Sequence, residues 1–176
     1  MSGELTWDHA VHDIPDSGIS TTRHATPQEL EAIARALQLV ACSSLTSTYT
    51  IMPIGDRHYR LSGRLQASLQ QACVVTLEPV QESIEETFEV TFWPQAEIPE
   101  PASGEIEIDD EPEIEPIVSG QIEAGRVVFE CLAGAINPFP RKAEAALERV
   151  AASPRGSADD KPENPFAVLA KIKEKD

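Results

Sequence analysis

Between Tyr59 and Gln70 apolar and polar residues alternate without a break. Tyr59, Leu61, Gly63, Leu65, Ala67 and Leu69 fall on one side, with Arg60, Ser62, Arg64, Gln66, Ser68 and Gln70 on the other. Successive side chains of an extended chain point to opposite faces, so a period of two held over 12 residues dictates a strand with one face buried and one wet. A second alternating run follows, with Ile84, Phe88, Val90 and Phe92 inward and Glu85, Thr87, Glu89 and Thr91 outward. With the two runs as neighbours, Arg60 and Arg64 face Glu85 and Glu89. Such cross-strand pairs are worth a few tenths to about 1 kcal/mol each, enough to set register more than stability. Cys73 to Pro79 makes the connection between the runs. Leu45 to Ile54, rich in Thr, Tyr and Ile and closed by Gly55-Asp56, reads as a strand and turn leading into the first run.

Helical spacing appears twice. Thr26-Pro27-Gln28-Glu29 carries the signs of a helix start: a capping hydroxyl, a first-turn proline and a carboxylate at the capping-box position. Leu30, Ile33, Ala34 and Leu37 then form one apolar face. Val128, Cys131, Leu132 and Ala135 keep the same spacing until Asn137-Pro138-Phe139-Pro140 stops the helix. Ile117 and Val118 add a short strand before it. The expected fold is α+β: an antiparallel sheet with an N-terminal helix and a second helix after an acidic loop, both packed on one face.

Charge is unevenly spread. The 176 residues carry a net charge of −16, yet the 61 residues from Leu65 to Gly125 contain no Lys or Arg and 15 Asp or Glu. Nine of those acids lie between Glu97 and Glu115, in a stretch punctuated by Pro99, Pro101 and Pro112. Prolines at that spacing oppose a helix or central strand, and like charges oppose packing. Residues 95–115 are therefore expected to be a disordered acidic loop inserted in a single domain spanning 1–150. Its bland reading is a solubilising insertion. Its sharper one is a surface on which Glu105, Glu107, Asp109, Asp110 and Glu111 hold a basic partner. Residues 151–176 read as a linker and a short amphipathic tail, and no internal repeat is found.

That balance excludes a diffuse grip on nucleic acid, which needs many cations to displace counterions from phosphates. Arg57, Arg60 and Arg64 are the only compact basic surface in the predicted sheet. Cys42, Cys73 and Cys131 are too few and scattered for a disulfide framework. The first residues lack a signal-peptide n-region, and the uncharged 20-residue stretch 36–55 is too rich in Ser and Thr for a bilayer core. A cytoplasmic protein without a membrane partner is expected. There is no glycine-rich phosphate loop, paired CxxC, HExxH or G-x-S-x-G, and the four His lack an assembled partner. No enzyme, cofactor, metal or small-molecule substrate is expected. Cys73 has no neighbouring basic residue to lower its pKa and reads as an inert thiol. The N-terminal segment around Asp8 and Asp13 is expected to be mobile.

Several segments carry a resemblance. Arg60-Leu61-Ser62-Gly63-Arg64-Leu65-Gln66-Ala67, then Cys73 and Leu77-Glu78-Pro79, resemble the YceD family of large-ribosomal-RNA-subunit accumulation proteins. The likeness continues through Ile122-Glu123-Ala124-Gly125, Asn137-Pro138-Phe139-Pro140-Arg141-Lys142 and Asn164-Pro165-Phe166-Ala167-Val168-Leu169. Many members carry Cys-x-x-Cys before the Leu-Glu-Pro equivalent. Here Thr76 stands at the second position, so a two-thiol site is not available. The resemblance implies a non-catalytic factor supporting accumulation, processing or assembly of large-subunit (23S) ribosomal RNA in bacteria. Its partner would be a ribosomal RNA precursor or a basic ribosomal protein, met at Arg57, Arg60, Arg64, Cys73, Leu77, Glu78 and Pro79. The alternative is a general acidic adaptor or holding protein for a basic partner, unrelated to ribosomes.

Overall fold

The computed structural model describes residues 5–55, 57–98 and 113–142. The alternating run becomes β4 (His58–Ala72), with Leu61, Leu65, Ala67 and Leu69 buried. It pairs antiparallel with β3 (Ala41–Gly55) on one side and β5 (Pro79–Pro94) on the other. Gly63 lies opposite Tyr49 in the β3–β4 register. A Cβ there would stand 2.6 Å from the Cβ of Tyr49, so the position must be glycine for the buried tyrosine to fit.

β2 (Ile19–His24) extends the sheet beyond β3, and β6 (Ile114–Ile117) extends it beyond β5, in the order β2-β3-β4-β5-β6. β6 runs parallel to β5, so the sheet is mixed and not wholly antiparallel. The chain leaves β5 at Pro94 and returns at Ile114, long enough for the crossover that a parallel pair needs. Pro116 is accommodated because β6 is an edge strand. The acidic stretch is therefore not a free loop at its margins: Gln95–Glu97 form a 3-10 turn and Ile114–Ile117 a strand. Its centre, and the linker and tail at 151–176, lie outside the described residues.

The N-terminal segment is also folded. β1 (Asp8–Ala10) pairs with β7 (Gln121–Glu123) in a small second sheet, and Leu5 and Trp7 are buried. β1 and β2 precede α1 (Pro27–Ala36), which begins with the expected capping box: Thr26 Oγ1 accepts from the Glu29 N–H, and Glu29 accepts from the Thr26 N–H at 2.8 Å. α2 (Ala124–Ala135) starts directly after β7. A Cβ on Gly125 would lie 2.6 Å from the Leu5 carbonyl oxygen, so glycine lets the N-terminal chain cross the helix start. Ile33 of α1 and Val127, Val128 and Leu132 of α2 join the inward residues of β3, β4 and β5 in one hydrophobic cluster.

The β4–β5 register differs from the expected one. Arg60 lies opposite Thr91 and Arg64 opposite Thr87, with Glu89 opposite Ser62 and Glu85 opposite Gln66. Arg60 still reaches Glu89 diagonally at 3.5 Å, while Arg64 forms no ion pair among the described residues. Thr91, expected to be wet, is buried, because β6 covers that end of β5 and Thr91 N–H donates to the Glu113 carbonyl at 2.8 Å.

Candidate functional site

The connection between β4 and β5 folds back on itself. Cys73 N–H donates to the Glu78 carbonyl at 2.8 Å, and Leu77 N–H donates to the Cys73 carbonyl at 2.9 Å. Those bonds hold Leu77 in the left-handed region at φ 61, a conformation costing roughly 1–2 kcal/mol for a residue with a Cβ. The segment following α2 lies against this turn. Val74 N–H donates to the Pro140 carbonyl at 3.0 Å, Gln71 Nε2 to the Asn137 carbonyl at 3.0 Å, and Lys142 Nζ to Glu78 Oε2 at 2.8 Å. Asn137 Oδ1 accepts the Phe139 N–H at 2.9 Å and shapes the bend. Residues more than sixty positions apart thus form one knuckle at the end of the hairpin.

Cys73 sits fully buried in the middle. The Thr76 hydroxyl and the backbone N–H groups of Lys142, Thr76 and Val75, the last donating to the sulfur at 3.5 Å, together bring the thiol down to about 6. The expectation of an unperturbed thiol is therefore corrected. Backbone and hydroxyl donors lower the pKa where a basic side chain was sought. Cys42 and Cys131 lie the other way, with burial pushing both thiols up. Thr76, at the position of the second thiol in the resemblance, also accepts the Glu78 N–H at 3.4 Å, so one hydroxyl braces both ends of the turn. The Lys142 ammonium in turn holds the Glu78 carboxyl below its usual range.

The knuckle presents apolar tips to solvent: Leu77 is 79% exposed and Phe139 69%, with Val74 also exposed. Val74, Phe139, Pro140 and Lys142 were absent from the expected site. The only local signal for them was the helix-stopping Asn-Pro-Phe-Pro, which says nothing about where the stopped chain goes.

Arg57, by contrast, stands at the far end of the hairpin from Cys73. At about 3.3 Å per residue, the 15 residues of β4 separate them by roughly 50 Å along the strand. Arg57 pairs with Glu97, His58 Nε2 lies 2.9 Å from the other Glu97 oxygen, and the His58 ring stacks on Trp93 with centroids 4.5 Å apart. The seven contact candidates are thus split: Arg57 and Arg60 have acids already on them, Arg64 stands on β4 opposite Thr87 without an ion pair among the described residues, and Cys73, Leu77, Glu78 and Pro79 lie in the knuckle. Glu105, Glu107, Asp109, Asp110 and Glu111 lie outside the described residues. Among the described residues, no three His, Cys, Asp or Glu side chains come together as a metal site, and no helix is long and apolar enough to cross a membrane.

The fold is α+β, a mixed five-stranded sheet with helices, and segments far apart in sequence meet in the knuckle at one end of the β4–β5 hairpin. The chain is a member of the YceD family, described as large ribosomal RNA subunit accumulation protein YceD, whose model matches residues 61–173. That description ties the family to accumulation of the large ribosomal RNA subunit and names no reaction. No curated protein and no solved structure matches the chain.

Proposed function

We propose that this protein is a non-catalytic factor supporting accumulation, processing or assembly of large-subunit ribosomal RNA, and that the knuckle is the surface through which it acts. The observation that carries this reading is the convergence of residues 73–79 and 137–142, separate stretches of the family resemblance, into one hydrogen-bonded turn with Leu77 and Phe139 outward. The partner is a ribosomal RNA precursor or a basic ribosomal protein. The acids from Glu105 to Glu111 supply attraction to a cationic partner, and the knuckle supplies the specific contact.

Leu77→Asp tests this. The change is solvent-exposed and leaves every knuckle hydrogen bond in place, so the variant should fold with an unfolding midpoint close to the parent. In a depletion strain complemented with the variant, sucrose-gradient fractionation should show reduced large-subunit particles and 23S ribosomal RNA. Wild-type levels would remove the knuckle from the function. Normal large-subunit RNA on depletion of the protein itself would overturn the ribosomal reading in favour of a general acidic adaptor.

A further inference from the structure

β5 is a long strand with a short outer neighbour. β6 pairs with it only from Thr91 to Pro94, and among the described residues nothing pairs with the outer side of β5 from Val80 to Val90. The direction of the free groups follows from one bond. Thr91 N–H points to the outer side, toward the Glu113 carbonyl. Alternate residues of a strand present their N–H and C=O to the same side, so Glu89, Thr87 and Glu85 offer theirs outward too. A groove opens along this edge, floored by Phe88, Val127 and Cys131 and walled by Glu89, Glu113 and Glu130.

We propose that this edge of β5 takes an extended, lysine- and arginine-rich polypeptide segment as an added strand. Backbone bonds to Glu85, Thr87 and Glu89 hold the segment, its apolar side chains meet the groove floor, and its cations meet the carboxylates. The chemistry of the occupant follows from charge. Glu82, Glu85 and Glu86 form no ion pair among the described residues, and the strand from Pro79 to Pro94 contains no Lys or Arg. Glu89 is reached by Arg60 at 3.5 Å, and Arg126 is committed to Glu115 at 2.7 Å and Glu130 at 2.9 Å, so Glu82, Glu85 and Glu86 carry the unneutralised charge of the strand. The chain's own sequence is a poor occupant. Continuing the β6 register backward from Ile114 opposite Thr91 would bring Pro112, which has no N–H, beside Glu89 and Asp109 beside Glu86. Like charges facing across a ladder are destabilising. The proposal deepens the contact-surface reading by naming the conformation and charge of a partner at a second place.

The full chain titrated with a synthetic decapeptide alternating lysine and valine provides the test, with an alternating glutamate–valine peptide as control. The lysine peptide should bind, slow hydrogen exchange at the amides of Glu85, Thr87 and Glu89, and weaken steeply with salt. Thr87→Pro removes an outward N–H without touching the β4 ladder, and should weaken binding about tenfold. The double variant Glu85→Lys with Glu89→Lys should abolish binding without removing any backbone donor. Failure of the lysine peptide to bind at low salt would mean that the acids serve only to keep a sheet edge from self-pairing. Protection of the same amides in the free protein would mean that the chain itself fills the edge. Exchange protection elsewhere, or equal binding of the glutamate peptide, would also overturn the proposal. No ribosomal component enters this experiment, so its failure leaves the ribosomal reading standing.

Discussion

At the knuckle end of the β4–β5 hairpin the chain is closed by main-chain bonds around a buried sulfur, whereas at the Arg57 end it is closed by side-chain charges on the surface. Both ends sit on the same continuous core, so the difference lies in what the closure must do. Backbone bonds from Cys73, Val74 and Leu77 hold the knuckle, with the exposed Lys142–Glu78 pair as its one salt-sensitive link among the described residues. The Glu97 carboxylate gathers Arg57 and His58 beside the Trp93 stack and draws the start of the acidic stretch against the sheet. Arg126 does the same at its far end by holding Glu115. Burial works against that guanidinium's charge, but the carboxylates of Glu115 and Glu130 more than offset this and raise its pKa further. One end is built to present a shape and the other to tether a segment.

The largest effect should come from breaking the knuckle at its centre. Cys73→Ala removes the acceptor of the Val75 N–H and leaves a smaller group at a fully buried position, and both changes are costly. Its unfolding midpoint near pH 8 should fall by several degrees, with little change on adding salt. The pH profile is sharper still. The folded thiol titrates near 6 and an unfolded one near 9. Because the folded value is the lower, the unfolded chain binds more protons between them. The stabilisation is therefore fully present above about pH 9, declines as pH falls, and is gone below about pH 6. Cys73→Ala should flatten that stretch of the curve. A parallel decline in parent and variant would show that the sulfur is not where the closure resides.

A smaller effect is expected at the other end. Glu97→Gln releases Arg57 and His58 together, and exposed pairs of this kind contribute about 0.2–1 kcal/mol each. Urea denaturation should find the loss at low salt and lose sight of it near 1 M, where charges are screened within about 3 Å. A loss that persists in high salt would make this end as structural as the knuckle and erase the contrast.

How much of this contrast the chain announces depends on the distance between cause and effect. The β4 alternation, the Thr26–Glu29 capping box and the spacing of Val128, Leu132 and Ala135 are local, and each became the expected element. β1 is three residues long and finds its partner β7 more than a hundred positions away, so no periodicity could announce it. Cys73 looked unperturbed for a different reason: a basic side chain was sought, whereas the Thr76 hydroxyl and backbone N–H groups, only that of Lys142 far along the chain, lower its pKa. The parallel direction of β6 was hidden too, because prolines and like charges spoke against a strand that an edge position tolerates. Register failed by a step: Arg60 meets Glu89 diagonally and not face to face.

The smallest expected effect on stability belongs to Arg64, and it sharpens what the sheet's outer face can do. Arg64 lies in a row of hydroxyls, with Thr48 opposite it on β3, Thr87 on β5, and Thr22 bonded to Thr48 at 3.0 Å. Arg57 and Arg60 already have carboxylates beside them, so Arg64 is the one of the three without an ion-pair partner among the described residues. Arg64→Ala should shift stability by no more than about 0.5 kcal/mol in either direction. If the outer face touches RNA, a single-stranded large-subunit fragment should lose a salt-dependence increment of about 0.7 in the log–log slope of its affinity, the share of one phosphate contact. An unchanged slope in a folded variant would take the sheet face out of RNA contact, and would leave the knuckle as the surface to which both ends of the comparison must answer.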